Sequence, residues 1–417
     1  MTSPTSRTTA SEIDPNLLRF GVVPFVLVRL SGLLCDMASA FLLPVAVFVA
    51  TGTATLAGVA FVVQWAPRVL LTPLLGVFVD RFAARSQFLV ADIGRAGVLA
   101  VLAWSPTPGA LIASSAALTL LNGHASLLVE SVLAHGVRRA DMGRAQSLQQ
   151  FSLQAATVTG PAIGGWALEW ADLTPTLATV AVFFGLTAVG TTAVLRGVGR
   201  GRATERVPPG EVRRLARGMR ALIANHRLGV LMLVTVVVNL VGGLALAALP
   251  VVVIETFDRS AGAVGTLAGA AALLSLVAAA TVSALARRSD VGRLVVPAFV
   301  LLAGSAALMV VAPALVAFGI GYGLWSAGIT VFMVWMRTRR LELIDPEDVG
   351  VTLGLFVAAI LAAIPVAGLL LALFGDAVAP QTLILGTAIF SAVVLVWLLR
   401  AWRATCPAPL PIGETPR

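Results

Sequence analysis

Twelve apolar runs, parted by short polar connections, leave this chain little choice of fold. They fall at 21–48, 55–79, 87–104, 109–134, 147–168, 174–195, 229–254, 262–285, 294–312, 314–336, 350–374 and 380–400. A helix needs about 20 predominantly apolar residues to cross a bilayer, so each run is long enough to span once. Inside lipid no water meets exposed N–H and C=O groups, and of open segments only a helix satisfies all of them within itself. The pattern predicts an all-α integral membrane protein with twelve transmembrane helices. Composition agrees: 58% of the residues are hydrophobic and 12% charged, with a mean hydropathy of +0.96, whereas a soluble domain is about 25% charged.

The basic residues then set the topology. With the N-terminus inside, the even-numbered connections hold Arg81 and Arg85; Arg138, Arg139 and Arg144; nine arginines from Arg196 to Arg227; Arg287, Arg288 and Arg293; and Arg337, Arg339 and Arg340. The odd-numbered connections hold Arg259 and the acids Glu169, Asp172, Glu255 and Asp376. A miscounted span would invert every later loop, so this alternation supports twelve crossings with both termini cytoplasmic. The net charge of +9 is thus a topology signal and not a footprint for nucleic acid.

The longest connection divides the chain. A cytoplasmic tail (1–20) precedes a six-helix half (21–195), a basic linker (196–228), a second six-helix half (229–402) and a cytoplasmic tail (403–417). Within the linker, Val212, Leu215, Met219 and Leu222 recur at helical spacing against Arg213, Arg214, Arg217 and Arg220, the pattern of an amphipathic helix at the inner membrane surface. Two six-helix halves would place a substrate path along their interface near the midplane.

Several function classes are excluded by what is missing. The chain has no lysine, so it has neither a P-loop, whose Lys reaches the β/γ-phosphates, nor a Schiff-base amine. Cys35 lies in the first run and Cys406 in the polar tail, too different in setting for a disulfide or metal site. The first twenty residues lack the order of a cleaved signal.

Two short motifs point further. Gly76-Val-Phe-Val-Asp80-Arg81-Phe-Ala-Ala-Arg85, between the second and third runs, resembles the signature loop of the major facilitator superfamily, with Ala83 and Ala84 where a second glycine is expected. The corresponding stretch after run eight, Ala286-Arg287-Arg288-Ser289-Asp290, is degenerate. In the fifth run, Gly160, Pro161, Gly164 and Gly165, with Ser147 and Ala156 upstream, resemble the motif that marks exporters of that superfamily. The N-terminal third, through Ser31 to Asp36, Ala66-Pro67-Arg68 and Ala91-Asp92-Ile-Gly-Arg95-Ala, resembles its drug and siderophore efflux branch of macrolide exporter and enterobactin exporter type, as does Asn225-His226-Arg227. The resemblance implies the major facilitator fold, a loop that latches the halves, and efflux by alternating access.

Charges inside the runs are the mechanistic candidates, since each costs a few kcal/mol to insert. Asp36 and Arg68 lie near the middle of runs one and two; Asp36 is either a proton-coupling carboxylate or a static partner of Arg68. Glu130 is a second proton candidate, while Arg29, Asp92 and Arg95 stand nearer the inner boundary, Asp92 and Arg95 as an interfacial packing pair. By the resemblance, runs one, four, seven and ten wall the cavity, with Asn122, His124, Asn239, Tyr322 and Trp325 as polar or aromatic candidates. The expected function is proton-driven export of a small amphiphilic molecule by a monomer in the cytoplasmic membrane of a bacterium. The expected partners are substrate, protons and lipid, with no catalytic residue, metal, cofactor or nucleic acid. An uptake permease is the rival transporter reading, which the fifth-run motif opposes. A polytopic enzyme or sensor is the rival class, which no nucleophile–base pair supports.

Overall fold

The computed structural model describes residues 21–137, 141–195, 220, 225–286, 295–311, 313–344 and 349–404. The expected amphipathic helix of the linker lies outside these residues except for Arg220, as do both tails to residue 20 and from 405, and Cys406. The first helices are α1 (Val22–Thr51), α2 (Ala54–Arg81), α3 (Ala84–Trp104), α4 (Pro108–Gly136), α5 (Met142–Ala171) and α6 (Leu173–Val194). They are followed by α7 (His226–Val251), which a π turn continues over Val252–Thr256, then α8 (Ala261–Ala286), α9 (Val295–Val311), α10 (Leu315–Leu343), α11 (Val349–Phe374) and α12 (Pro380–Ala404).

Among the described residues nine helices are long and apolar enough to cross a membrane, and Val296–Val311 and Pro380–Val394 are shorter apolar helices. The remaining helix, α5, carries Arg144, Gln146, Gln149, Gln150 and Gln154 in its first half. Helix ends overrun the apolar runs where the chain reaches polar surroundings, because a charged residue at an interface does not interrupt the backbone ladder. So α2 continues through Arg81 and α10 through Leu343. The first and fifth helices of each set of six carry an interior proline, at Pro44, Pro161, Pro250 and Pro365. Such breaks persist in membrane helices because packed neighbours supply partners for the freed carbonyl groups.

Within the first six helices, α1 packs on α2, α4, α5 and α6, α2 on α4, and α3 on α4 and α6. Within the last six, α7 packs on α10, α11 and α12, α8 on α10, and α9 on α10 and α12. Two long seams join the sets: α2 against α11, and α5 against α8. The buried apolar residues follow suit, with two clusters in the first set, around Phe184 and around Phe25 and Phe88, and a third in the last set that also takes in Phe48 and Phe61.

Candidate functional site

Four charged side chains form a continuous chain where α1, α3 and α6 meet. Arg29 Nη1 donates to Asp92 Oδ2 at 2.8 Å, Arg95 Nη2 bonds Asp92 Oδ1, and Arg95 Nη1 lies 2.7 Å from both oxygens of Asp36. Helical spacing explains the alignment: Arg29, Gly32 and Asp36 share one face of α1, and Asp92 and Arg95 are one turn apart on α3. At Gly32 an added Cβ would stand 3.2 Å from Thr187 and 3.4 Å from the Arg29 guanidinium, so the missing side chain leaves room for the buried arginine. Helix α6 closes the third side, where Thr191 Oγ1 is 3.4 Å from Arg29 and Thr187 shares a 2.7 Å hydrogen bond with Ser31. Aromatic faces complete the cage, with Phe88 4.7 Å from the Arg29 guanidinium and Phe184 4.6 Å from that of Arg95.

The chain is charge-balanced and dry. Asp92 and Arg95 are 0% exposed, Arg29 2% and Asp36 6%, so none of the four is stabilised by bulk water. With all four ionised the signs alternate and sum to zero, the arrangement that offsets the desolvation of each member. Asp36 ends the chain and faces a chamber of about 20 Å³, lined by Ser39, Gln64, Ser115, Thr119 and Asn122 together with the apolar Ala40, Leu43, Leu118 and Phe184. That volume matches one water-sized molecule. Gln64 Nε2 donates to Ala40 O at 2.8 Å, and its Oε1 is buried with no protein partner.

This geometry corrects the sequence reading in three places. The hydrogen-bonding partner of Asp36 is Arg95, while Arg68 is exposed and stands over the Trp65 ring at 5.7 Å. Depth matched Asp36 to Arg68 correctly, but the direction of Arg68 around α2 decides the contact. Asp92 and Arg95 are not an interfacial pair: Arg95 lies eleven residues into α3, about 17 Å from its N-terminal end, level with Asp36 fourteen residues into α1. The cavity candidates also separate. Asn122 joins the Asp36 chamber, whereas His124, two positions on and so on the other side of α4, faces Gln87, Ser86 and Leu120. Asn239 Nδ2 bonds Thr235 O of its own helix at 2.9 Å, Tyr322 is buried in stacked contact with Phe318, and Trp325 lines an apolar recess with Phe299 and Ser391. Glu130 is exposed and is not among the hydrogen-bonded members of the charged chain. The sequence reading passed over Ser115 and Thr119, whose spacing with Asn122 marks one polar stripe on α4, and Thr187 and Thr191 on α6.

The fifth-run motif resolves into two small-residue stripes on α5. Gly160 and Gly164 face α1, where an added Cβ would lie 2.5 Å from Met37 Cβ and 3.0 Å from Ala38 O. Pro161 and Gly165 face α8, where a Cβ on Gly165 would lie 2.7 Å from Ala261 O and 3.0 Å from Gly265 Cα. Ala156 is fully buried and Ser147 exposed. In the second motif, Gly76, Asp80 and Arg81 belong to the end of α2 and not to a loop, and Arg85 to the first turn of α3, so the connection itself is Phe82–Ala83.

A family model described as the Major Facilitator Superfamily matches residues 27–338. No curated protein matches the chain. Its fold is similar to that of a POT family transporter solved in complex with 5-aminolevulinic acid, with a TM-score of 0.75 at 11% identity over 93% of this chain and 97% of that one. A bacterial homologue of the human lysosomal transporter Spinster, inward-facing and occupied, gives 0.72 at 11% identity over 92% and 97%. A bacterial homologue of the iron transporter ferroportin, inward-facing, gives 0.65 at 16% identity over 90% and 98%.

Proposed function

We infer that this chain, which belongs to the major facilitator superfamily, is a secondary active exporter of a small amphiphilic molecule, driven by inward proton flow and working by alternating access. The reading includes twelve spans in two six-helix halves, both termini cytoplasmic, in a bacterial cytoplasmic membrane. Transport as such follows from the family; direction, driving ion and substrate class are the proposal.

The observation that carries export is the placement of the α5 motif. Its two stripes put one helix in backbone-close contact with α1 of its own half and α8 of the other. A helix so placed must slide or part on one face while staying fixed on the other, which suits a hinge between two packed states. For proton coupling, the supporting feature is the position of Asp36 at the end of the charged chain, beside a water-sized chamber that five other polar side chains also line. A proton arriving there takes the local charge from zero to +1 and releases Arg95 from one of its two carboxylates, which loosens α1 from α3.

The test is proton flux in vesicles containing only this protein. Addition of an exported compound to the side facing the cytoplasmic loops should release protons in the opposite direction, and a panel of amphiphilic cations and anionic chelators identifies the class. Flux that carries compound and protons together in one direction would replace export with uptake.

A further inference from the structure

Both seams between the two sets of helices finish at the same end of the bundle, the end that carries the α1–α2, α5–α6, α7–α8 and α11–α12 connections. At each finish a carboxylate from one set meets the first turn of a helix in the other. Asp376, just past the end of α11, accepts at Oδ1 from the backbone N–H of Ala54 at 2.6 Å and of Thr55 at 3.3 Å. These are the first two N–H groups of α2, which have no partner within their own helix. Thr53, the residue in capping position, supplies no side-chain hydrogen bond, so the cap comes from the other set. The exchange is reciprocal: Thr55 Oγ1 donates to Ala372 O at 2.9 Å, one of the last carbonyls of α11.

The second seam repeats the arrangement. Glu169, in the last turn of α5, accepts at Oε2 from Ser260 Oγ at 2.9 Å, immediately before α8 begins. Its carboxylate occupies the space that a Cβ on Gly262 would take, so the glycine lets the acid sit against the first turn of α8. One turn below, Trp166 Nε1 donates to Thr266 Oγ1 at 3.0 Å. The order of elements makes the two contacts equivalent: in each, an acid at the end of the fifth helix of one set meets the start of the second helix of the other. Small residues line both seams beneath the acids, Gly58 against Gly368 and Ala372, and Gly165 against Ala261 and Gly265.

We propose that Asp376, which caps α2, and Glu169, which binds Ser260 at the start of α8, are a pair of crossed carboxylate contacts that latch this end of the transporter shut and set the free energy of opening it. A negative charge at a helix N-terminus satisfies orphan N–H groups and the positive end of the helix dipole together. When this end parts, α2 loses a cap that Thr53 does not replace, and the start of α8 loses the carboxylate bound to Ser260. Neither acid lies in the charged chain of Asp36, so the latch is separate from the proposed proton site. Contacts from the Thr55 hydroxyl, and from the N–H groups of Thr55 and Ala54, hold the Asp376 carboxyl below its usual range. The sign follows: a depressed pKa in the closed state means the cap is fully present above the ordinary carboxylate range and lost as pH falls through the lowered value. Asp376 is therefore ionised throughout the neutral range, and the latch is opened by the motion of the halves and not by physiological acid.

That this end faces the outside rests on the topology proposed above; the latch itself does not. The test uses spin labels at Trp104→Cys and Val311→Cys, at the same end of the bundle on α3 and α9, which are 92% and 72% exposed, in a Cys35→Ser, Cys406→Ser background. Distances between them are measured in the full chain in lipid nanodiscs. Asp376→Ala and Glu169→Ala should each raise the ratio of long to short distances about tenfold, as loss of a charge-assisted hydrogen bond does, and the double variant about a hundredfold. Thr55→Val, an isosteric change at the same seam, should shift it in the same direction by less. Distance distributions in the double variant that match the parent would overturn the latch. Shifted distances in a protein that shows no substrate or proton flux would leave the latch standing and remove the exporter reading.

Discussion

Arg95 is the residue on which the buried chain depends most, and replacing it separates a charge network from a set of independent pairs. It bonds both oxygens of Asp36 and also Asp92, while Arg29 reaches Asp92 alone. Arg95→Gln strands Asp36 as an uncompensated carboxylate that is 6% exposed; breaking a buried pair in this way costs about 3–5 kcal/mol. Asp36→Asn is milder. Arg95 keeps Asp92, and the amide oxygen of the substituted side chain still accepts from the guanidinium, so the expected loss is that of one charged acceptor, about 1–3 kcal/mol. The double variant Asp36→Asn/Arg95→Gln restores neutrality around the remaining Arg29–Asp92 pair and should be more stable than Arg95→Gln alone by about 2 kcal/mol. Arg68→Gln added to Asp36→Asn should give no relief beyond about 0.5 kcal/mol, because the hydrogen bonds of Asp36 run to Arg95. SDS titration of the purified protein in mixed micelles, followed by circular dichroism, measures all four. If Arg95→Gln is no less stable than Asp36→Asn, or the double variant no better than Arg95→Gln, the four charges do not act as a chain.

In vesicles, Asp36→Asn should abolish export driven by a pH gradient while leaving downhill exchange of substrate, and gradient-driven export at the parental rate would move the proton site elsewhere, with Glu130 next to test. Gly165→Leu has to displace the backbone of α8 at Ala261 and Gly265, so it should insert in the membrane and bind substrate yet turn over at least about tenfold more slowly, a claim that unchanged initial rates would defeat. Gly160→Leu meets Met37 and Ala38 of α1 instead, and it should lower folded yield as well as flux, since that face lies within one half; a normal yield would show that the α1 stripe is tolerant. Ser115→Ala, which removes a hydroxyl from the chamber that Asp36 lines without adding bulk, should shift the pH profile of flux and leave substrate affinity unaltered, and a change confined to affinity would place the substrate and not the proton in that chamber.

The sequence alone determined which segments are helical, because the backbone of a segment in lipid must be satisfied within itself and apolar length is the quantity that matters; their ends it did not fix, since α2 runs on through Arg81 and α10 through Leu343. It also determined depth. Asp36 and Arg68 lie near the middle of a helix, as their positions in the runs indicate, since a rise of about 1.5 Å per residue converts position into height; Arg95, placed nearer the boundary by the sequence, lies eleven residues into α3. The small residues of α5 were visible for the same reason, since close approach of helices needs glycine at a fixed spacing wherever the partner stands.

What the tertiary structure decided is direction around each helix and the identity of the neighbour. Successive residues turn by about 100°, so the partner of Asp36 depends on how α1, α2 and α3 are rotated against one another, and that rotation is set by packing over the whole bundle. Depth in the sequence pointed to Arg68, and only the packing of α3 places Arg95 against Asp36 with α6 behind it. Asn122 and His124, adjacent in the candidate cavity by sequence, part company for the same reason. The acids Glu169 and Asp376 were only loop charges in the sequence, because each meets the start of a helix from the other half of the chain, Asp376 capping an N–H group 322 positions away and Glu169 binding Ser260. No local pattern encodes a contact of that separation; it exists because two long seams bring the ends of α5 and α11 onto the starts of α8 and α2.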